Sequence, residues 1–236
     1  MNMILDLIAF DADDTLWHNE LLYQLTEEKY QNLLSRYADA QLVSKRLLDT
    51  ERKNIDIYGY GIKSFTLSMI ETAIEISSGD VTASEIFNII GFAKEMLTSE
   101  VRLLDYAEDT VKNLAEAYHL MMITKGDLRD QEYKLARSGL AACFRFTEVV
   151  TEKDEQTYRD ILAKYKVRPD RFLMVGNSIK SDILPILALG GHAVFVPYQV
   201  TWAHEVVSES KIDHSAYHEL EHLGQLPGLI EQLTSS

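Results

Sequence analysis

Leu7-Ile8-Ala9-Phe10-Asp11-Ala12-Asp13-Asp14-Thr15-Leu16 sets a short, wholly apolar run directly against three carboxylates. A run without polar alternation reads as a strand covered on both faces, the state of a strand inside a parallel sheet. The acidic cluster then falls where strand gives way to loop, and in a doubly wound sheet ligands bind at the strand ends. Further runs at residues 119–123, 172–175 and 193–196 also have the length of buried strands, and they stop at the polar clusters 124–127, 176–182 and 197–198. Chemistry at several strand ends argues for one shared site.

Helical segments lie between these runs, at residues 109–118, 130–139 and 157–165, with Gly139 as a helix stop. Strand and helix therefore alternate after residue 105, which implies a parallel sheet with right-handed crossovers. Residues 17–100 break the rhythm. They read as consecutive helices at 19–38, 40–56, 63–77 and 82–98, separated by the turn formers Tyr58-Gly59-Tyr60-Gly61 and Ser77-Ser78-Gly79-Asp80. The expected architecture is a doubly wound, Rossmann-like α/β core of residues 1–16 and 101–236, with a helical cap of residues 17–100 inserted after the first strand.

Composition narrows the partners. With 46% apolar and 25% charged residues the 236-residue chain can build a packed core, which excludes a disordered or fibrous reading. A formal charge of −14 and the lack of a basic run argue against nucleic acid. No apolar stretch reaches the ~18 residues needed to span a bilayer. Cys143 is the single cysteine, so an internal disulfide and a multi-cysteine metal site are excluded, and a reducing cytoplasm is expected.

The carboxylates of Asp11, Asp13 and Asp14 need a reason to crowd together. Unit charges ~4 Å apart repel by roughly 4 kcal/mol at an effective dielectric near 20, and an incoming phosphate would add to this. A divalent cation resolves the conflict, and an oxygen-rich site with few protein ligands suits Mg²⁺.

Phe10-Asp11-Ala12-Asp13-Asp14-Thr15-Leu16 resembles the first motif of the haloacid dehalogenase-like hydrolase superfamily. Ile123-Thr124-Lys125-Gly126 is similar to the second motif, Lys153 stands where the third motif has its lysine, and Gly176-Asn177-Ser178 through Asp182 resembles the fourth. The resemblance implies a nucleophile at Asp11, whose carboxylate would attack phosphorus to give an aspartyl phosphate. It implies that Asp13 protonates the leaving oxygen and later takes a proton from the hydrolytic water, its main-chain carbonyl touching the metal. Thr124 and Lys153 would stabilise the transferring phosphoryl group. Asp11, Asp13 and Asp182 would hold Mg²⁺, with Asn177, Ser178 and Lys125 as further candidates for the metal or phosphate shell.

Two comparisons refine this. The fourth motif commonly begins Gly-Asp, and this chain has Gly176-Asn177, which leaves Asp11 and Asp182 as the anionic ligands. Haloacid dehalogenases lack the second aspartate of the first motif, and halide leaves without a proton, so Asp13 favours phosphate-ester hydrolysis. The expectation is a phosphatase acting on a small phosphorylated metabolite. A phosphomutase on the same chemistry and a catalytically silent phospholigand-binding regulator are the alternatives.

Each feature also has a plainer reading. A lone Asp-x-Asp is usually a turn or a helix cap, Thr124 can cap a helix, and Lys153 can be a surface charge. Tyr58, Tyr60 and Lys63, around the glycines of the insert, are candidates for substrate selection or an ordinary connection with half-buried tyrosines. Trp202 and His204 would edge the pocket or simply pack. His214, His218 and His222, four apart, would share a helical face as metal ligands, but residues 212–223 also fit a strand and turn.

Overall fold

The computed structural model of the chain describes residues 3–199, 212 and 214–235. They form two compact units. One comprises Met1–Glu20, Val101–Thr124 and Glu132–Ser236; the other comprises Leu21–Glu100 and Lys125–Gln131. Compared with the expected boundary after residue 16, the first unit keeps the chain to Glu20, and the segment after Thr124 packs with the helices.

The first unit is built on a six-stranded sheet of β1 (Leu7–Phe10), β2 (Leu120–Lys125), β3 (Phe146–Val150), β4 (Phe172–Gly176), β5 (His192–Phe195) and β6 (Tyr217–Glu219), in the order β3-β2-β1-β4-β5-β6. β1 lies between β2 and β4, parallel to both: Phe10 pairs with Met122 on one side and with Val175 on the other. Strand order runs outward in opposite directions from β1 and β4, so the crevice at which a doubly wound sheet binds ligands lies past Phe10 and Val175.

Burial explains why β1 has no polar alternation. Ile8 and Phe10 face a core shared with Val111 and Leu114 of α5 (Ala107–Ala117) and with Leu226 and Ile230 of α9 (Leu226–Ser235). Leu7 and Ala9 face the other, built with Tyr158, Ile161 and Leu162 of α7 (Glu155–Tyr165) and with Ile183 and Ile186. All four strand residues are at most 1% exposed. Ile186 belongs to α8 (Leu184–Ala188), and α6 (Leu128–Arg137) ends shortly before Gly139, whose φ of +77° marks the expected stop.

Two strands were not among the apolar runs. β3 is an edge strand whose residues are exposed or half-buried, and Thr147 and Glu148 interrupt its apolar residues. β6 is only three residues long and is held by its pairing to β5. It carries His218 in a strand, while His222 stacks on Tyr106 at 4.4 Å and His214 Nδ1 accepts from the Ala216 amide, so the helical three-histidine face does not form.

The second unit consists of α1 (Glu20–Leu34, from Leu21 onward), α2 (Ala40–Tyr58), α3 (Ile62–Ile76) and α4 (Ala83–Thr98) around Tyr30, Leu34, Val43, Leu47, Met69 and Ile89. Thr82 and Glu85 start α4 with a reciprocal capping box. α2 and α3 share a buried polar seam: Thr72 Oγ1 lies 3.0 Å from Thr50 Oγ1, and Asn54 donates to Ser68 at 3.1 Å and to Glu71 at 3.0 Å. α3 follows Gly61 and has no side-chain cap of its own; Asp127 takes that place, accepting from the Lys63 amide at 3.3 Å and its ammonium at 3.1 Å. A side chain at Gly61 would meet the Asp127 carboxylate at 2.8 Å, and φ is +117°, so both space and conformation require glycine.

The chain leaves the sheet unit and returns to it through two paired stretches. Trp17 bridges antiparallel to Leu103, the His18 amide donates to the Arg102 carbonyl at 3.0 Å, and the Leu104 amide donates to the Leu16 carbonyl at 2.9 Å.

Candidate active site

The ends of β1, β2 and β4, with the chain after β3, carry the residues singled out by the sequence. Asp11 follows β1 directly and its amide donates to the Val175 carbonyl at 2.9 Å, so the strand ladder fixes where its side chain begins. The buried ammonium of Lys153 binds the Asp11 carboxylate and, at 2.7 Å, Asp182 Oδ1. Asp182 Oδ2 accepts from the Ser178 amide at 3.0 Å. Thr15 Oγ1 lies 2.9 Å from Asp11 Oδ2 and 3.2 Å from Asn177 Oδ1, so one hydroxyl spans the first and fourth motifs. Thr124 is buried two residues past Met122, the partner of Phe10, which sets it on the strand next to Asp11.

The fourth motif is held by local geometry. Gly176 ends β4, and a Cβ there would overlap the Asp182 carboxylate outright. Residues Ile179–Ile183 form a π-helical turn that starts with Ser178 Oγ accepting from the Ser181 amide at 3.0 Å. This wide turn folds Asp182 back over the strand end it has just left.

The three aspartates of the opening stretch prove to have separate surroundings. Asp14, with φ of +62°, accepts from the amides of Asn19 at 2.8 Å and Glu20 at 3.1 Å and so caps the start of α1. Burial lifts its carboxyl to about 6 against the pull of those amides. Asp13 Oδ1 accepts from the Trp17 indole at 2.7 Å and from the Lys134 ammonium at 3.1 Å, and its Oδ2 accepts from Lys134 at 3.2 Å. Two donors, the Trp17 indole and the Lys134 ammonium, thus hold its carboxylate.

Charge in the innermost cluster is unbalanced. Two buried carboxylates, Asp11 and Asp182, share the one ammonium of Lys153. Burial, together with Asp182 and Asp13, pushes Asp11 up to about 7 in spite of Lys153. Burial would pull Lys153 down, yet the two carboxylates more than offset it and raise it above the ordinary lysine range. A further cation would fit this donor set: two carboxylates and the Asn177 amide oxygen near Thr15 are hard oxygen ligands of the kind Mg²⁺ accepts alongside water and substrate. Among the described residues no three His, Cys, Asp or Glu side chains gather as a metal set, so the protein's share of such a shell would rest on two carboxylates plus neutral oxygens.

The remaining candidates make contacts of their own. Lys125 closes β2 with its ammonium 4.3 Å from the Tyr60 ring centre. Lys63 pairs with Asp127, and Tyr58 is 52% exposed. Trp202 and His204 lie outside the described residues. Thr15, Trp17 and Lys134 join the site without having been singled out. Thr15 stood inside the quoted stretch, four residues after Asp11, whereas Lys134 is 121 residues from Asp13 and no spacing signals it.

Similarity to known proteins extends over most of the chain. A family model described as haloacid dehalogenase-like hydrolase matches residues 5–190. Among solved structures, a haloacid dehalogenase-like family hydrolase from Xanthomonas campestris is 37% identical with a TM-score of 0.88, covering 99% of this chain and 93% of that one. A predicted phosphoglycolate phosphatase from Haemophilus somnus 129PT is 18% identical (TM-score 0.62, covering 95% of this chain and 97% of that one). L-2-haloacid dehalogenase from Xanthobacter autotrophicus is 14% identical (TM-score 0.68, covering 97% and 99%). The last two likenesses speak to fold alone. No curated protein matches the chain. The extent of the family match, taken with four motifs in order at the strand ends, means that the chain belongs to the haloacid dehalogenase-like hydrolases.

Proposed function

We propose that the protein is a phosphatase that hydrolyses a small phosphorylated metabolite through an aspartyl phosphate on Asp11. The observation that carries this choice over dehalogenation is Asp13, a second carboxylate two residues from Asp11 and held by its own donors, Trp17 and Lys134. Ester cleavage needs a proton for the departing oxygen, and halide does not.

In the first half-reaction an Asp11 carboxylate oxygen attacks phosphorus, the ester P–O bond breaks, and the leaving oxygen takes a proton from Asp13. In the second, water attacks the same phosphorus and gives a proton to Asp13 while the bond to Asp11 breaks, which returns the enzyme and releases inorganic phosphate. Lys153 stands beside the nucleophile and offsets negative charge as it builds on the phosphoryl oxygens, and Thr124 serves as a hydrogen-bond donor to them. Asp11, Asp182, Asn177 and the Asp13 carbonyl would hold Mg²⁺, which when bound screens the repulsion between carboxylate and phosphate. Tyr58, Tyr60 and Lys63 are the candidates for substrate selection.

The test is phosphate release from a panel of phosphorylated metabolites, with and without EDTA. Asp11→Asn should lower turnover by at least ~1,000-fold with the fold retained by circular dichroism. Asp13→Asn should spare p-nitrophenyl phosphate more than an alkyl phosphate, because nitrophenolate leaves without a proton. Full activity in Asp11→Asn would remove the nucleophile assignment. Isomerisation without phosphate release would identify a mutase, and chloride release from a 2-haloacid would identify a dehalogenase.

A further inference from the structure

Asp13 is flanked by an ammonium group that none of the four motifs contains. Lys134 lies on α6, with its side chain 13% exposed, and its Nζ reaches Asp13 Oδ1 at 3.1 Å, Asp13 Oδ2 at 3.2 Å and Asn19 Oδ1 at 2.8 Å. The Trp17 indole adds a further donor to Asp13 Oδ1 at 2.7 Å. The carboxylate of Asp13 is thereby restrained at both oxygens by donors from two different parts of the chain, and the Asn19 oxygen restrains the ammonium itself.

We propose that Lys134 is a positioning residue for Asp13: it fixes the direction in which the Asp13 carboxylate meets the leaving oxygen and, later, water. This inference rests on the phosphatase reading. A carboxylate at the edge of a loop, bonded only to Trp17, would retain several side-chain rotamers, and proton transfer tolerates little misplacement, with ~1 Å costing on the order of 100-fold. An exposed ion pair would be worth little, but this one is largely shielded and shared among three acceptor oxygens. Its two bonds to the Asp13 carboxylate make that group the route by which Lys134 would act on turnover.

That route makes the effect separable from a loss of stability. In Lys134→Met, which keeps the aliphatic stem and removes the ammonium, kcat on an alkyl phosphate should fall about 10- to 100-fold with KM changed less than about twofold. Lys134→Arg, which retains charge and donors, should recover most of the loss. In an Asp13→Asn background Lys134→Met should cost less than about twofold, since the group it positions no longer transfers protons. Thermal melts of each variant report folding independently.

An equal loss from Lys134→Met with and without Asp13→Asn would overturn the proposal, as would a kcat within twofold of the parent. If the parent protein releases phosphate from no ester, the phosphatase reading falls and takes this inference with it. If the parent is active and only Lys134→Met proves silent, the inference falls alone.

Discussion

Gly176 and Asp182 compete for one volume: the glycine has no side chain because the carboxylate already occupies the place where a Cβ would stand. Gly176→Ala should therefore displace Asp182 from Lys153 and destabilise the fold by about 1–3 kcal/mol, a cost typical of overpacking a close-packed interior. The measurement is the urea midpoint together with turnover of whichever substrate the protein is found to hydrolyse, and loss of turnover should exceed what the unfolded fraction explains. Asp11, Asp13, Lys153 and Asp182 were legible in the sequence because each stands at the end of an apolar run or at a motif position. Thr15 and Lys134 were not, because a hydroxyl or ammonium becomes part of a site only through the folded path of the chain. Asp14 looked like part of the same acidic cluster and is instead a helix cap, a distinction that depends on its backbone turning to φ of +62°.

Helices could be read more fully than strands. The four helices of the insert fall within a few residues of their expected spans, since their polar and apolar periodicity and their glycine breaks are local properties. β3 escaped because an edge strand need not be apolar throughout, and its place is set by pairing with β2, a contact distant in sequence. Within α2, half-buried Glu51 adds a testable property. Burial, with the nearby Glu27 carboxylate, raises it from 4.5 to about 7. The folded state then holds this proton more tightly than the unfolded chain, so stability is full at low pH and declines as pH rises through that interval. Glu51→Gln should thus stabilise the protein at pH 8 by about 1–3 kcal/mol, the advantage closing as pH falls to 4.5. Chemical denaturation at the two pH values measures it, and an advantage independent of pH would contradict the assignment.

At the scale of the whole molecule, the two compact units have separate cores, one organised on the sheet and the other on the four helices. No helix among the described residues is long and apolar enough to cross a membrane. The paired stretches at Leu16–His18 and Arg102–Leu104 bring the two ends of the insertion side by side on the sheet unit itself. Such an arrangement places both excision points on neighbouring stubs, with Lys125–Gln131 the part of the helical unit left behind. Excising residues 20–100 and splicing Asn19 to Val101 through a short Gly-Ser loop should yield a miniature that still melts cooperatively, and a foreign bundle with neighbouring termini should be graftable onto the same two stubs.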